Sequence, residues 1–106
     1  MSSSHAAASH LTLLVLTLAP VLEEDLIDYL LSLEQVEGFS SQTVYGYGEH
    51  GTLSVAEQVA GRQRRMQYSV LLPQTEIASL VGGLAARVGS DIRYWEQPIQ
   101  GYGRVL

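Results

Sequence analysis

Apolar residues in the first half of the chain follow the order of a strand and then a helix. Leu11–Leu18 is a short apolar run, which is typical of a strand buried on both faces. Pro20 suits the first turn of a helix, and an apolar stripe at helical spacing then continues to about Gln35. Gly38 ends this unit. The stretch Phe39–Tyr47 returns to β-forming residues and predicts a second strand.

The second half repeats the order after a long connection. Alternate positions of Arg65–Leu72 are apolar, which predicts a third strand with one buried face. An unbroken apolar stripe then predicts a helix that begins at Thr75 and is ended by Gly89. Asp91–Glu96 is predicted to form a fourth strand, and Pro98–Leu106 to be irregular or a short edge strand.

The order β-α-β, loop, β-α-β predicts an α+β, ferredoxin-like βαββαβ domain. We expect a four-stranded antiparallel sheet with two helices on one face, formed by residues 10–106 after a mobile tail of residues 1–9. The first strand is apolar on both sides, so a homo-oligomer is the simplest cover for the second sheet face. The glycine-bounded loop Gly46–Gly61, between strands 2 and 3, is long enough to indicate a functional segment.

Composition narrows the possible functions. The 106 residues carry a net charge of −5, contain no cysteine or lysine, and have six arginines as their only permanently basic residues. Thiolate metal sites, disulfides and lysine Schiff bases are therefore excluded, and a negative domain is a poor non-specific binder of nucleic acid. The apolar run Leu11–Leu18 is shorter than the roughly 20 residues of a membrane span. We expect a cytoplasmic protein without membrane insertion.

No group of residues suggests a reaction, so we expect a protein that is not an enzyme. The carboxylates of Glu23–Asp28 stand where a helix begins, and that position explains them without catalysis. His50 is the one histidine inside the predicted domain apart from His10 at its border with the tail. It is a candidate metal ligand, but a site needs more donors, from neighbouring subunits or from the histidines of the tail.

Three arginines, Arg62, Arg64 and Arg65, lie where the loop returns to the sheet. Alternation places the first two on one strand face and Arg65 on the other. Their guanidinium groups suit a phosphate or carboxylate ligand. The alternative is that they balance the acidic start of a helix or a neighbouring subunit.

The residues around the loop resemble the PII-like signalling superfamily over about residues 10–105. Val44–Gly51 is similar to the V-x-G-F-G-x-x-x-G run that opens the T-loop of PII proteins. Leu53–Arg65 resembles the L-S-x-A-E-Q-V-x-G-R segment of an uncharacterised PII-like family, often encoded beside heavy-metal efflux pumps of the resistance–nodulation–division type. Smaller matches to that family are Gly38–Ser40, Tyr94–Trp95 and Gly103–Arg104.

The resemblance implies a trimeric regulatory protein whose T-loop docks on a partner, such as a membrane transporter, in response to a small effector. By the resemblance, Gly46, Tyr47 and Gly48 border a nucleotide at the loop base, and Arg104 stands near an arginine-bearing C-terminal loop. With the arginine run described above, the predicted ligand-binding residues are Gly46, Tyr47, Gly48, Arg62, Arg64, Arg65 and Arg104. A separate set, the partner-docking loop, carries Tyr45, Glu49, His50, Leu53, Glu57 and Gln58.

One departure from PII proteins leaves the effector open. Their lysine-containing phosphate-binding loop has no counterpart here, because the connection Val88–Asp91 is short and lacks lysine. Two alternatives to the leading hypothesis therefore stand. One is a CutA-like, metal-responsive trimer that uses His50. The other is a sensor of adenine nucleotide or bicarbonate, like carboxysome-associated PII-like proteins.

Overall fold

The computed structural model describes residues 10–47 and 62–106. These residues form four strands and two helices, and each helix is preceded by one short 3₁₀ turn, at Pro20–Leu22 and Gln74–Glu76. The predicted tail, residues 1–9, lies outside the described residues. The elements are β1 (Leu11–Leu18), α1 (Glu23–Leu31), β2 (Gly38–Tyr47), β3 (Arg62–Pro73), α2 (Ile77–Arg87) and β4 (Arg93–Pro98).

The four strands form one antiparallel sheet in the order β2-β3-β1-β4. Strand β3 is central and pairs with β1 on one side and with β2 on the other. The two helices pack against one face of this sheet, through Leu14, Leu16 and Leu18 of β1 and Tyr68 and Val70 of β3. The α+β, ferredoxin-like prediction is confirmed.

Three predicted boundaries were wrong. Helix α1 ends at Leu31 rather than near Gln35, because the chain must turn there and join the sheet, where the Glu37 amide donates to the Leu71 carbonyl. Strand β3 starts at Arg62 rather than Arg65, whereas β2 ends at Tyr47 as predicted, so Gly46 and Tyr47 lie in β2 although the loop was predicted to begin at Gly46. Strand β4 starts at Arg93 rather than Asp91, since Asp91 has a φ of 59°, which is not an extended conformation.

Strand β3 is longer than its neighbour β1, and this difference creates a projecting ribbon. Leu18, the last paired residue of β1, lies opposite Met66. Pairing of β2 with β3 continues past that point, from Val44 opposite Arg65 to Tyr47 opposite Arg62. Four residue pairs therefore extend beyond the body of the sheet as two strands only. We call residues 44–47 and 62–65 the ribbon.

The sheet face away from the helices, which we call the open face, is part apolar and part polar. Its apolar members are Leu11, Leu13 and Val15 of β1, Leu71 and Pro73 of β3, Val44 of β2 and Trp95 of β4. Leu11 and Val15 are already buried, whereas Trp95 is 44% exposed. The other open-face residues of β2 are glycine, serine and glutamine. The expectation of an apolar second face thus applies to the centre of the sheet and, within β4, to Trp95, because Arg93 and Gln97 share its face.

The two helices meet where a tyrosine fits against a glycine. The Tyr29 hydroxyl of α1 donates a 2.7 Å hydrogen bond to the Leu80 carbonyl of α2. Its ring is buried, and the Arg87 guanidinium lies 5.1 Å from the ring centroid. A side chain at Gly83 would overlap the Tyr29 hydroxyl, whereas Gly82 faces open space. Gly83 is therefore required by the contact between the helices.

We predict that Gly83→Ala lowers the free energy of unfolding by about 1–3 kcal/mol, because the added methyl group forces Tyr29 away from Leu80. Gly82→Ala is the matched control. It adds the same methyl group to the same helix without a clash, so it should stabilise by about 0.5–1 kcal/mol through helix propensity. Urea unfolding monitored by circular dichroism measures both. Equal effects of the two substitutions would contradict this account of the packing.

A second tyrosine joins the sheet to the start of α1. Tyr68, 1% exposed at the centre of β3, donates a 2.6 Å hydrogen bond from its hydroxyl to Glu23 Oε2. Burial, followed by the hydrogen bond and the negative charge of Glu23, raises the pKa of Tyr68 to about 12. The bond places a carboxylate in the first turn of α1, where the helix dipole also favours it.

The raised pKa of Tyr68 predicts a stability loss at high pH. The neutral phenol is favoured in the folded state, so its contribution is present below pH 10 and is lost as the pH rises through 10 to about 12. In an absorbance titration, one of the six tyrosines should ionise late, and Tyr68→Phe should remove that phase. Glu23→Gln should lower the pKa of Tyr68, whereas Glu24→Gln, at the exposed neighbouring position, should not.

Candidate functional site

One face of the ribbon presents two tyrosines and two arginines. Tyr45 pairs with Arg64 and Tyr47 pairs with Arg62, so the four side chains share the face on which the helices lie further along the sheet. All four are exposed. The Arg62 guanidinium lies 4.2 Å from the Tyr45 ring centroid, a cation–π contact that crosses the ribbon diagonally. Aromatic rings beside guanidinium groups suit a planar or anionic ligand.

The β3 side chains on the opposite face of the ribbon are buried. Gln63 is 8% and Arg65 2% exposed, whereas Arg62 and Arg64 between and beside them are exposed. This alternation matches the predicted division of the arginines between two faces. It also gives the arginines different roles, because a buried guanidinium is available to its neighbours in the fold rather than to a ligand from solvent.

Arg65 is bound by the ends of two other elements. Its Nη2 donates to the Thr17 carbonyl of β1 at 2.8 Å and to the Asp91 carbonyl at 2.9 Å. Its Nη1 lies 3.5 Å from Asp91 Oδ2. The buried Nε has no hydrogen-bond partner among the described protein groups. The alternative to ligand binding was that the arginines balance an acidic helix start or a neighbouring subunit. Arg65 is instead balanced by Asp91, a carboxylate of the same chain that follows α2.

Asp91 owes its position to an unusual backbone conformation. It lies in the connection between α2 and β4 and has a φ of 59°, a left-handed conformation that aspartate tolerates better than most residues. In this conformation its carbonyl and its carboxylate both reach Arg65. Sequence reasoning missed Asp91, and the available signal was an aspartate directly after Gly89 and Ser90, where turns favour it.

Several predicted site residues lie outside the described part of the chain: Gly48, Glu49, His50, Leu53, Glu57 and Gln58. Their predicted roles therefore stay predictions. Within residues 10–47 and 62–106, no three histidine or acidic side chains come together as metal ligands. In the same residues, no helix has the length and apolar character needed to span a bilayer.

The remaining candidates are divided between the two edges of the sheet. Gly46 lies in β2, one edge strand of the sheet, and pairs with Gln63 of β3 in the ribbon. Arg104 is exposed in the segment after β4, which is the other edge strand. Three strand spacings separate the edges, on the order of 14 Å. The fold thus gathers Gly46, Tyr47 and the arginines of the ribbon, and starts the segment of Arg104 from the opposite edge.

Two open clefts border β4 and contain none of the predicted site residues. One, of about 480 Å³, is lined by polar groups that include His10, Gln74 and Glu96. The other, of about 420 Å³, lies between Tyr94 of β4 and Gly82 of α2. Both are open grooves on the helix side of the sheet edge, and neither gathers the charged groups that a small anion requires.

The sheet order, the helices on one face and the long β2–β3 connection are shared with PII-like proteins. The structure of Arabidopsis thaliana PII bound to citrate has a TM-score of 0.66 at 15% identity, covering 92% of this chain and 82% of the other. A protein described as PII-like and signalling, from Thermus thermophilus, has a TM-score of 0.58 at 15% identity, covering 82% and 84%. The fold is therefore PII-like.

The chain belongs to the family described as protein of unknown function (DUF3240), whose model matches residues 8–106. A DUF3240 family protein from Shewanella baltica, solved by crystallography, has a TM-score of 0.76. Its sequence is 26% identical, and the match covers 92% of this chain and 99% of that protein. No curated protein matches the chain in sequence.

Proposed function

We propose that this protein is a trimeric PII-like regulatory protein whose β2–β3 segment docks on a protein partner in response to a small effector. The observation that carries the proposal is the ribbon, four residue pairs that extend from a PII-like sheet and lead into the long connection. A projecting two-stranded ribbon is an arm for presenting a segment to another protein, since it adds little to the core. A membrane transporter is the partner that we favour.

Assembly is supported by the open face. Leu13, Leu71 and Trp95 leave apolar surface at the centre and edge of the sheet, which a second copy would cover. The position of Arg104 supports the same arrangement. An effector that contacts both the ribbon and Arg104 would bridge the two edges most directly at a junction between subunits, where the β4 edge of one copy meets the ribbon of another.

The effector is an anion or a metal ion in this proposal. Gly46, Tyr47, Arg62 and Arg64 are the described residues that we assign to it, with Arg104 from the C-terminal segment and Gly48 beyond the end of β2. Arg65, which was predicted to belong to this set, is left out because its guanidinium is buried and bound to Thr17 and Asp91. Adenine nucleotide, bicarbonate and a divalent metal bound through His50 are the candidate ligands. The docking function is assigned to Tyr45 and to Glu49, His50, Leu53, Glu57 and Gln58.

The trimer is tested by two adjacent aromatic residues of β4. Trp95 faces the open face and Tyr94 faces the helix side, and their side chains are 44% and 49% exposed. We expect sedimentation to show a particle of three times the 11.6 kDa chain mass. Trp95→Glu should shift it to monomer by burying a charge in the interface, whereas Tyr94→Glu should not. A monomeric wild-type protein would contradict the proposal.

The effector is tested by calorimetric titration with ATP, ADP, AMP, bicarbonate and divalent metal ions. Arg64→Ala should weaken the binding of an anionic effector about tenfold or more, through loss of charge-assisted hydrogen bonds. Arg87→Ala, at an exposed arginine of α2, is the control and should leave binding unchanged. Binding of metal alone, lost in His50→Ala, would replace the anion with the CutA-like alternative. Binding of none of these ligands would contradict the effector part of the proposal.

A further inference from the structure

Arg65 stands at the root of the ribbon. It is the first residue of β3 beyond the four-stranded part, because β1 stops pairing opposite Met66. Outward from Arg65, β3 has β2 as its one paired neighbour. A two-stranded ribbon has little stability of its own, so its direction depends on what is fixed at its root.

The contacts of Arg65 fix the root to two other parts of the fold. The Thr17 carbonyl belongs to β1, whereas the Asp91 carbonyl and carboxylate belong to the connection between α2 and β4. Residues 65 and 91 are remote in sequence, and the guanidinium is the group that joins them. Movement of Asp91 therefore acts on the position of Arg65, and through it on the strand that carries the ribbon.

The two partners differ in their access to solvent. The Arg65 side chain is 3% exposed and the Asp91 side chain is 51% exposed. A buried guanidinium cannot readily exchange its partners for water, so loss of the carboxylate leaves an uncompensated charge that favours rearrangement. Asp91, by contrast, is open to a cationic group from outside. The pair thus has one partner that reaches the surface and one that lies under the ribbon.

We propose that Arg65 and Asp91 form a latch that couples the α2–β4 connection to the ribbon. A cationic group that engages the Asp91 carboxylate at the surface releases Arg65 and loosens the ribbon at its root. By reciprocity, a change in the pairing of the ribbon alters the α2–β4 connection. The latch supplies a regulatory route for the docking arm of the proposed function, but its existence depends on neither the effector nor the partner.

The latch is tested by hydrogen exchange of the full chain without any ligand. Asp91→Asn removes the charge and Asp91→Gly removes the side chain, and both residues accept the left-handed backbone of this position. In both variants, amides of the ribbon and of residues 88–92 should exchange about tenfold faster or more, as expected for loss of a charged contact. Amides of α1 and of the β1–β3 centre should keep their rates. Asp28→Asn, at an exposed aspartate of α1, is the control and should change neither region.

The converse variant is Tyr45→Gly, which removes the ring that contacts Arg62 and weakens the ribbon from its exposed face. It should accelerate exchange at residues 88–92, although Tyr45 is not in the α2–β4 connection. Equal acceleration throughout the sheet in the Asp91 variants would overturn the latch and leave a purely stabilising ion pair. Unchanged ribbon amides in both Asp91 variants would overturn it as well.

Discussion

A guanidinium buried at the end of a sheet has to find partners for its donors, and this requirement organises the part of the molecule that differs most from a plain βαββαβ domain. Arg65 is 2% exposed and draws on β1 and on the α2–β4 connection. These contacts constrain where β3 leaves the four-stranded region and how the chain turns before β4. They also account for the φ of 59° at Asp91, which brings its carbonyl and carboxylate to Arg65. The unusual backbone conformation of Asp91 is thus explained by the need of the buried Arg65 guanidinium for partners.

Hydrogen bonds from buried polar groups also hold the helices to each other and to the sheet. The hydroxyl of Tyr29 is bound by a helix carbonyl and that of Tyr68 by the carboxylate of Glu23. Each tyrosine supplies apolar ring area to the core and one directed bond across elements, which an aliphatic residue of similar size could not provide. The close approach at Gly83 is the geometric consequence for α2.

Sequence patterns predicted the fold because its signals are local. The alternation in β3 and the stripes of the two helices depend on residues close in the chain, and the ferredoxin-like order follows from them. Boundaries were missed where a distant contact decides them. Pairing with β2 extends β3 outward to Arg62, and the bond from Glu37 to Leu71 accompanies the end of α1. Neither contact leaves a periodic signal.

The candidate site was predictable to the same degree, since alternation alone separated Arg65 from the other two arginines of the run. The partner of Arg65 was not predictable, because Asp91 lies 26 residues away and its role depends on one backbone angle.

The distribution of charge gives the ribbon a character different from that of the whole molecule. The protein has a net charge of −5, yet three of its six arginines fall within four positions at the root and outer part of β3. Salt screens exposed charges over roughly 8 Å under physiological conditions, so an approaching anion responds to nearby groups more than to the total. Because Arg65 is buried and paired with Asp91, the exposed positive charge of the ribbon comes from Arg62 and Arg64 beside two tyrosines. The charged groups at this end of the molecule therefore matter more to an approaching anion than the net charge of −5 does.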